Sequence, residues 1–246
     1  MTSPTLRRRS GTLDTIRGLT LVSMIVYHAC WDLVYLYRLD WGWYRSFWAG
    51  IWQQSICCTF ILLSGFCWQM GRHPLRRGLM SFFGGAAVSL ATLLVLPETP
   101  VQFGVLTFLG SAALLTIPPR PGLALSFALF LVLRDVNKGF LGLADVPLLY
   151  LPRNWYANTL SAGLGFPAPS FVSSDYFPLL PWLFLFWAGF YLYRLRPETP
   201  AVPDIRLPGI GAIGRHSLMV YLLHQPVIYG LLALIFSLQE VHLCLS

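Results

Sequence analysis

Six apolar runs of membrane-spanning length are the feature that most limits what this chain can fold into. They cover residues 14–37, 47–70, 78–96, 101–118, 176–193 and 213–237, and a shorter seventh run covers 121–133. A helix needs about 20 mostly apolar residues to cross about 30 Å of hydrocarbon. The pattern therefore predicts an all-α, polytopic membrane protein with about seven transmembrane helices, in which residues 1–246 form a single transmembrane domain.

The composition agrees with a membrane location. Of the 246 residues, 56% are hydrophobic and 11% are charged, whereas soluble domains carry about 25% charged residues. The net charge of +7 does not indicate a nucleic-acid partner, because most of the arginines and the single lysine lie between the apolar runs. Such basic residues follow the positive-inside rule. We therefore expect the lipid bilayer as a partner, and no nucleic acid.

The distribution of basic residues predicts the orientation. With the N-terminus inside, the cytoplasmic segments hold eleven arginines and the outer segments hold five arginines and lysines. This excess predicts a cytoplasmic tail over 1–12, an outer C-terminus and a multi-pass protein of the cell (inner) membrane. Residues 134–175 then form an external loop. Its apolar piece, 139–152, is too short to span and is expected to be interfacial or re-entrant.

Four ionisable residues of the first helix share one face. At about 100° per residue, Arg17 and His28 lie within about 60° of Asp14, and Asp32 is in phase with it. Ionisable groups inside a membrane are expensive and are functional candidates by default. Asp14 with Arg17 also fits an ion pair that only sets helix packing. The stripe as a whole is expected to face protein or water.

His28 and Asp32 are the strongest candidates for chemistry. They are four residues apart, so the carboxylate can hold one imidazole nitrogen and fix the tautomer. An oriented imidazole suits a general base that acts on a hydroxyl or an amine. The alternative is a hydrogen bond between helices without a catalytic role. The pair supplies too few ligands for a zinc site, and no metal is expected.

The last helix carries a second polar face. Ser217, Tyr221 and His224 lie on one side, and His224 is expected at a depth similar to that of His28. Pro226 leaves the carbonyl of Leu222 without its helical donor, which predicts a kink beside His224 and Gln225. The kink either opens a cavity or serves packing alone. We expect His28, Asp32 and His224 to line one cavity.

The stretch 173–182 joins an acidic side chain to prolines and aromatic rings. Asp175, Tyr176 and Trp182 are its candidate binding residues, at an outer rim that meets a polar acceptor such as a sugar. The alternative is an interfacial aromatic belt and a helix that begins at proline. The sequence contains no phosphate-binding glycine loop and no serine-hydrolase elbow, so neither nucleotide hydrolysis nor serine catalysis has local support.

Three of these pieces, in this order, resemble the heparan-alpha-glucosaminide N-acetyltransferase catalytic-domain family in its short bacterial form. The resemblance extends from residue 10 to residue 237. The pieces are Leu13-Asp14-Thr15-Ile16-Arg17-Gly18 with His28-Ala29-Cys30-Trp31-Asp32-Leu33, then Ser174-Asp175-Tyr176-Phe177-Pro178-Leu179-Leu180-Pro181-Trp182, then Gly214-Arg215-His216-Ser217-Leu218 with Tyr221-Leu222-Leu223-His224-Gln225-Pro226.

The resemblance implies a membrane acyltransferase that moves an acyl group, acetyl above all, from cytoplasmic acetyl-CoA or another acyl-CoA. The acceptor would be a hydroxyl or amine of a glycan or glycolipid outside. It implies that His28 is catalytic, as general base or transient acyl carrier, with Asp32 beside it. The implied donor-binding residues are Asp14, Arg17, Arg215 and His216. The implied acceptor-binding residues are Asp175, Tyr176, Trp182, Tyr221, His224 and Gln225.

One departure concerns the first piece. The lysosomal member of the family places its His-Ala-x-Trp segment after a glycine-rich insertion that is absent here, while the Arg17-to-His28 spacing agrees with acyltransferase family 3. Both precedents indicate His28. An ion-coupled transporter that uses the same intramembrane groups as a proton relay is the alternative function, and a non-catalytic membrane scaffold is a third. The acceptor, the acyl chain length and the oligomeric state, including a homo-oligomer, stay open.

Overall fold

The computed structural model describes residues 10–71, 73–115, 122–195 and 204–245, with side chains described through residue 238. Within them the chain is mainly helical, as predicted. The helices are α1 Gly11–Tyr35, α2 Phe47–Trp68, α3 Pro74–Val95, α4 Val105–Leu114, α5 Leu123–Val132, α6 Thr159–Ala162, α7 Leu179–Leu195, α8 Pro208–Arg215 and α9 Ser217–Leu245. Of the predicted tail over 1–12, residues 1–9 lie outside the described residues.

Four of these helices are long and apolar enough to cross a membrane. They are Gly11–Tyr35, Phe47–Trp68, Pro74–Val95 and the part of α9 over Ser217–Leu238. The other three predicted spans correspond to α4, α5 and α7, which are shorter. The predicted spans 101–118 and 121–133 are only partly described, because 116–121 lie outside the described residues. The count of seven spans and the sidedness stay predictions.

The last predicted span, 213–237, begins later than expected. His216 has φ −103° and ψ 30° and ends α8, and α9 starts at Ser217. Pro208 occupies the first turn of α8, where its fixed φ suits a helix start and its missing N–H costs no hydrogen bond. Residues 213–216 therefore belong to a separate short helix and its cap. Hydropathy alone did not distinguish the two helices because both are apolar.

The chain divides into two compact units, one of residues 1–60 and 199–246 and one of residues 61–198. In the first unit, α1 and α8 cross at two glycines. A Cβ on Gly18 would lie 2.0 Å from the carbonyl oxygen of Ile210, and a Cβ on Gly214 would lie 2.0 Å from that of Asp14. An added Cβ would clash at either position, so the two backbones can touch only because both residues are glycine.

A short extended segment, 204–207, is tied to the start of α1 in the same unit. The Ile205 N–H donates to the Thr12 hydroxyl at 2.9 Å, and the Thr15 hydroxyl donates to the Ile205 carbonyl at 3.2 Å. The carboxylate of Asp204 accepts from the Thr12 N–H at 3.1 Å. The first α1 turn has backbone N–H groups without helical partners, and this segment supplies one of the acceptors.

The apolar core of the first unit lies further along α1. Leu21, Met24 and Ile56 are buried, and partly buried residues of α1, α2, α8 and α9 pack around them. The Trp52 indole N–H donates to the Ser23 hydroxyl at 2.8 Å, which joins α2 to α1. This packing brings α1 and α9 together over the turns that carry the candidate histidines.

The second unit contains the rest of α2, helices α3 to α7 and a two-stranded sheet. Helix α3 packs on α4, and α5 packs on α7. The strands, β1 Phe140–Leu143 and β2 Val146–Tyr150, are antiparallel. They lie in the apolar piece 139–152, which was expected to be interfacial or re-entrant.

The two strands are joined by a tight turn. Ala144 and Asp145 have φ of 50° and 66°, the left-handed geometry that suits the twist of a two-residue hairpin. Lys138 forms an ion pair with Asp135 at 2.9 Å and a second one with Asp145. All five residues of β2 are exposed. The two strands pair the backbone groups that face each other, which explains how a short apolar segment forms ordered structure without a helix.

Candidate active site

The two candidate histidines lie side by side in the first unit. The rings of His28 on α1 and His224 on α9 have centroids 5.0 Å apart and planes inclined by 64°. The two imidazoles are near each other as predicted, and the prediction that they line one cavity with Asp32 stays a prediction. Their proximity follows from equal depth on two packed helices, because each imidazole lies on the polar face of its own helix.

His224 is held by its own helix. Its Nδ1 lies 2.5 Å from the carbonyl oxygen of Tyr221, one turn earlier. Only 9% of the residue surface is exposed, and Nε2 is a buried atom without a hydrogen-bond partner among the described residues. The residue predicted to bind substrate thus has one nitrogen occupied by the backbone and the other available for hydrogen bonding.

Asp32 is paired with Gln225 and not with His28. Its side chain is fully buried, and the Gln225 Nε2 donates to both carboxylate oxygens, at 2.9 and 3.1 Å. Among the described residues Asp32 makes no side-chain hydrogen bond to His28. A buried carboxylate needs strong donors, and the amide N–H₂ meets this need across the helix interface. The expected Asp32–His28 hydrogen bond within α1 is therefore wrong. The Asp32–Gln225 hydrogen bonds, which join α1 to α9, take its place.

Aromatic rings lie beside both histidines. The Tyr27 ring meets the edge of His28 at 6.2 Å, and the Tyr221 ring lies 5.3 Å from that of His224. Phe60, at the α2 position where the first unit ends, lies 6.5 Å from Tyr221. Apolar walls lower the local dielectric and strengthen each polar interaction inside them. Tyr221, predicted to bind substrate, contributes both a ring and a carbonyl group.

The predicted donor-binding residues are at the other end of α1. Asp14 is buried and forms an ion pair with Arg17 at 3.6 Å. Arg215 and His216, where α8 ends, are exposed. A pocket of about 280 Å³ opens beside them. Its described lining comprises Gly11, Asp14, Thr15, Arg206, Leu207, Pro208, Gly211 and Arg215.

Two of the four predicted donor-binding residues, Asp14 and Arg215, thus line one pocket, and Arg17 and His216 are not among its described lining residues. Sequence reasoning missed Arg206 and Thr15. Both lie close to motif residues, Thr15 beside Asp14 and Arg206 just before the proline that starts α8. Nothing in their spacing showed that the segment 204–207 folds back onto α1.

The predicted outer-rim residues are in the second unit, where each has a packing contact. The Asp175 carboxylate accepts from the Val105 N–H at 3.1 Å, in the first turn of α4. The Tyr176 hydroxyl donates to the Ala162 carbonyl at 2.7 Å. The Trp182 ring lies 5.0 Å from that of Phe177. These contacts stabilise the loop, and acceptor binding by the three residues stays a prediction.

Metal chemistry has no visible site in the described part of the chain. No group of three or more His, Cys, Asp or Glu side chains comes together there in a way that could hold a metal ion. The histidine pair with Asp32 does not form such a group, because the carboxylate faces the Gln225 amide. The arrangement holds two imidazoles in contact, with an aromatic ring beside each.

Comparison with known proteins supports the resemblance seen in the motifs. The family model described as "Heparan-alpha-glucosaminide N-acetyltransferase, catalytic" matches residues 9–226, most of the chain. The match includes both histidines, Asp32 and the pocket residues. Neither a search of the curated proteins nor a search of the solved structures finds a match.

Proposed function

The chain belongs to the heparan-alpha-glucosaminide N-acetyltransferase catalytic-domain family, and from this premise we propose that it transfers an acetyl group from acetyl-CoA to an amine or hydroxyl. The family and the apolar helices indicate a membrane protein of an acetyltransferase family. The acceptor class we propose is a glycan or glycolipid. The family description names a glucosaminide, whose amine is a nucleophile of the required kind.

The observation that carries the proposal is the contact between the two imidazoles. Acyl transfer needs a group that removes the acceptor's proton, and imidazole is the side chain most often used for this near neutral pH. The centroid distance of 5.0 Å places two such groups at one point of the helix interface. His28 is the proposed reacting histidine, as general base or as transient acyl carrier. Asp32 is proposed to help position it, because its hydrogen bonds to Gln225 hold α1 against α9.

The pocket at the start of α1 is the proposed site for the nucleotide part of the donor. Arg206 and Arg215 line it, and guanidinium groups bind phosphate oxygens through paired hydrogen bonds. The Asp14 carboxylate, which also lines the pocket, is proposed to accept a hydrogen bond from a ribose hydroxyl. His28 lies about 21 Å further along α1 at 1.5 Å per residue. We propose that an extended pantetheine arm spans this distance.

The proposed transfer is vectorial. Acyl-CoA carries several negative charges and is kept inside the cell, so the donor would enter from the cytoplasmic side and the acceptor from outside. The proposed localisation is therefore the cell (inner) membrane. Asp175, Tyr176 and Trp182 are proposed to lie on the acceptor's side. Sealed vesicles of known orientation test this, because acetyl-CoA should support activity from the cytoplasmic face only.

The direct test uses the purified full chain in proteoliposomes with acetyl-CoA. Release of the CoA thiol and acetylation of the acceptor are followed together, with methyl α-glucosaminide compared with methyl α-glucoside, which lacks the amine. Transfer to either compound supports the proposal, and preference for the first indicates N-acetylation. If the protein conducts protons but releases no CoA from acetyl-CoA with any acceptor supplied, the result would favour the transporter alternative.

Arg215→Ala tests the donor site separately. A charge-assisted hydrogen bond contributes about 1.5–3 kcal/mol, so the apparent KM for acetyl-CoA should rise about tenfold or more while kcat changes little. Arg45→Ala is the matched control, because Arg45 is also exposed but lies before α2, outside the pocket. An unchanged KM in the Arg215 variant would remove this residue from the donor site.

A further inference from the structure

We infer that His224 is the group that accepts the proton of the acceptor, through its Nε2, in the acetyl transfer proposed above. This inference rests on the proposed function and gives a sharper role to a residue that the sequence placed only in substrate binding. It assigns the base role to α9 and leaves His28 on α1 to contact the acyl group.

The hydrogen bond at Nδ1 fixes the tautomer of His224. The carbonyl oxygen of Tyr221 is an acceptor only, so at 2.5 Å from it Nδ1 must carry the proton. In the neutral imidazole Nε2 then carries a lone pair. The arrangement is the one that a general base requires, in which a partner on one nitrogen orients the ring and the other nitrogen is ready to take a proton.

The surroundings of Nε2 indicate a role for that lone pair. The atom is buried, and no described residue donates a hydrogen bond to it. Leaving a buried acceptor unsatisfied costs about 1–3 kcal/mol, and native structures tolerate few such groups. A hydroxyl or amine of the acceptor would supply the donor that the protein does not.

His28 lacks a comparable orientation. Its described contacts are ring contacts with Tyr27 and His224, and no hydrogen bond to either ring nitrogen is found among the described residues. The carboxylate expected to orient it, that of Asp32, is bonded to Gln225. Of the two imidazoles, only His224 therefore has a fixed tautomer.

The step assigned to His224 is the same whether the thioester or His28 presents the acyl group. The acceptor's O–H or N–H bond breaks and its proton goes to Nε2, while its oxygen or nitrogen forms a bond to the acyl carbon. The bond from that carbon to its carrier, the thioester sulfur or an imidazole nitrogen, breaks with its electron pair. In the direct route, the proton on Nε2 then passes to the thiolate that has just left, which restores neutral His224 and yields CoA. In the route through His28, a nitrogen of the neutral His28 ring first displaces the CoA thiolate to form an acyl-imidazolium. His28 then leaves the acyl carbon as a neutral imidazole, and the proton on Nε2 passes to that same thiolate.

The test compares His224→Ala and His224→Gln with Leu223→Ala, an exposed neighbour on the same helix. Turnover is measured with acetyl-CoA and whichever methyl glycoside the wild type acetylates faster. Both histidine variants should lose about 10²- to 10⁴-fold in kcat with an unchanged KM for acetyl-CoA, and Leu223→Ala should retain activity. Added imidazole should restore turnover to His224→Ala, since it can enter the space left and accept the proton.

The inference is overturned if a folded His224→Gln variant keeps a kcat close to that of the wild type, because glutamine retains polarity but is no base. It is also overturned if imidazole leaves a folded His224→Ala variant unchanged, since a purely structural role would not respond to a diffusible base. Failure of the wild type to use acetyl-CoA at all would instead refute the proposed function. The two failures are therefore distinguishable.

Discussion

Both ends of α1 carry buried or half-buried polar side chains, but they differ in how far these groups are hydrogen-bonded. At its start, Thr12 and Thr15 bond the segment 204–207, and Asp14 forms an ion pair with Arg17. At its other end, His28 has only ring contacts among the described residues, and the buried Nε2 of His224 beside it has no described donor. At the far end Asp32 is satisfied by Gln225, so the unused hydrogen-bonding capacity there belongs to the two imidazoles.

The difference separates polar groups that hold helices together from those that carry chemistry. A satisfied polar contact offsets the cost of burying it, whereas an unsatisfied buried group is kept at a cost in stability. Changes at Thr12 and Thr15, which bond the segment 204–207, should therefore lower stability, and changes at the histidine pair should lower turnover. Variants at the two ends of the helix test that division.

The largest effect is expected for His28→Ala. With the base role assigned to His224, His28 is left as the acyl carrier, and its loss should lower kcat by at least the factor of about 10² to 10⁴ typical of a lost acid–base group. The melting temperature and membrane insertion should change little, because His28 makes ring contacts but no hydrogen bond with a described residue. Val26→Ala, an exposed position two residues earlier on α1, is the control. Near-normal turnover by the folded His28→Ala variant would exclude both chemical roles of this histidine.

The next effect concerns the helix crossing at the start of α1. Gly18→Ala places a Cβ 2.0 Å from the Ile210 carbonyl oxygen, and such overpacking costs about 1–3 kcal/mol. Thermal unfolding should show this loss. Gly230→Ala on α9 meets nothing within 4 Å and should be neutral or slightly stabilising. Equal melting temperatures for the two variants would contradict close packing of α1 on α8.

An effect of similar size is expected where stability and chemistry meet, at Gln225. Gln225→Leu removes the donor to both oxygens of buried Asp32, and an unsatisfied buried group costs about 1–3 kcal/mol. The double variant Asp32→Leu/Gln225→Leu removes both partners and should recover part of that loss in thermal unfolding. A double variant less stable than the single one would show that the amide–carboxylate bond is not the cause.

The smallest effect is a pH dependence at the start of α1. The Arg206 guanidinium and the Thr12 N–H hold the pKa of Asp204 below its ordinary value. The stabilisation is therefore complete above about pH 3.9, the ordinary aspartate pKa, and is lost as the pH falls through the lower pKa of the folded state. Hydrogen exchange of the Thr12 amide should show protection that falls with acidification. Asp204→Asn should make that protection independent of pH.

Much of this arrangement follows from periodicity. The contact between His28 and His224 was predictable because both lie on polar faces of apolar helices at similar depth. The positions of α1, α2 and α3 were predictable for the same reason, since long apolar runs leave the backbone no other way to satisfy its hydrogen bonds.

The remaining features depend on partners that are distant in sequence. Asp32 was expected to bond the His28 imidazole. Its actual donor, the Gln225 amide, is brought to the carboxylate by the packing of α1 on α9. The hairpin over 140–150 depends on two left-handed residues, Ala144 and Asp145, neither of which is the glycine that such a turn usually contains. Arg206 lines the pocket only because the segment before α8 returns to the start of α1.

The break at His216 affects how the chain tolerates insertions. One residue added within a continuous helix rotates everything beyond it by about 100° and shifts it by about 1.5 Å. An added residue between Ser217 and His224 would therefore turn the imidazole off the face that meets His28. A residue added before the break alters the segment 204–207 or α8. It leaves the rotation of His224 about the α9 axis, relative to Ser217, unchanged. The break thus separates the register of the histidine pair from that of α8, which is set by the contacts of Ile210 and Gly214 with α1.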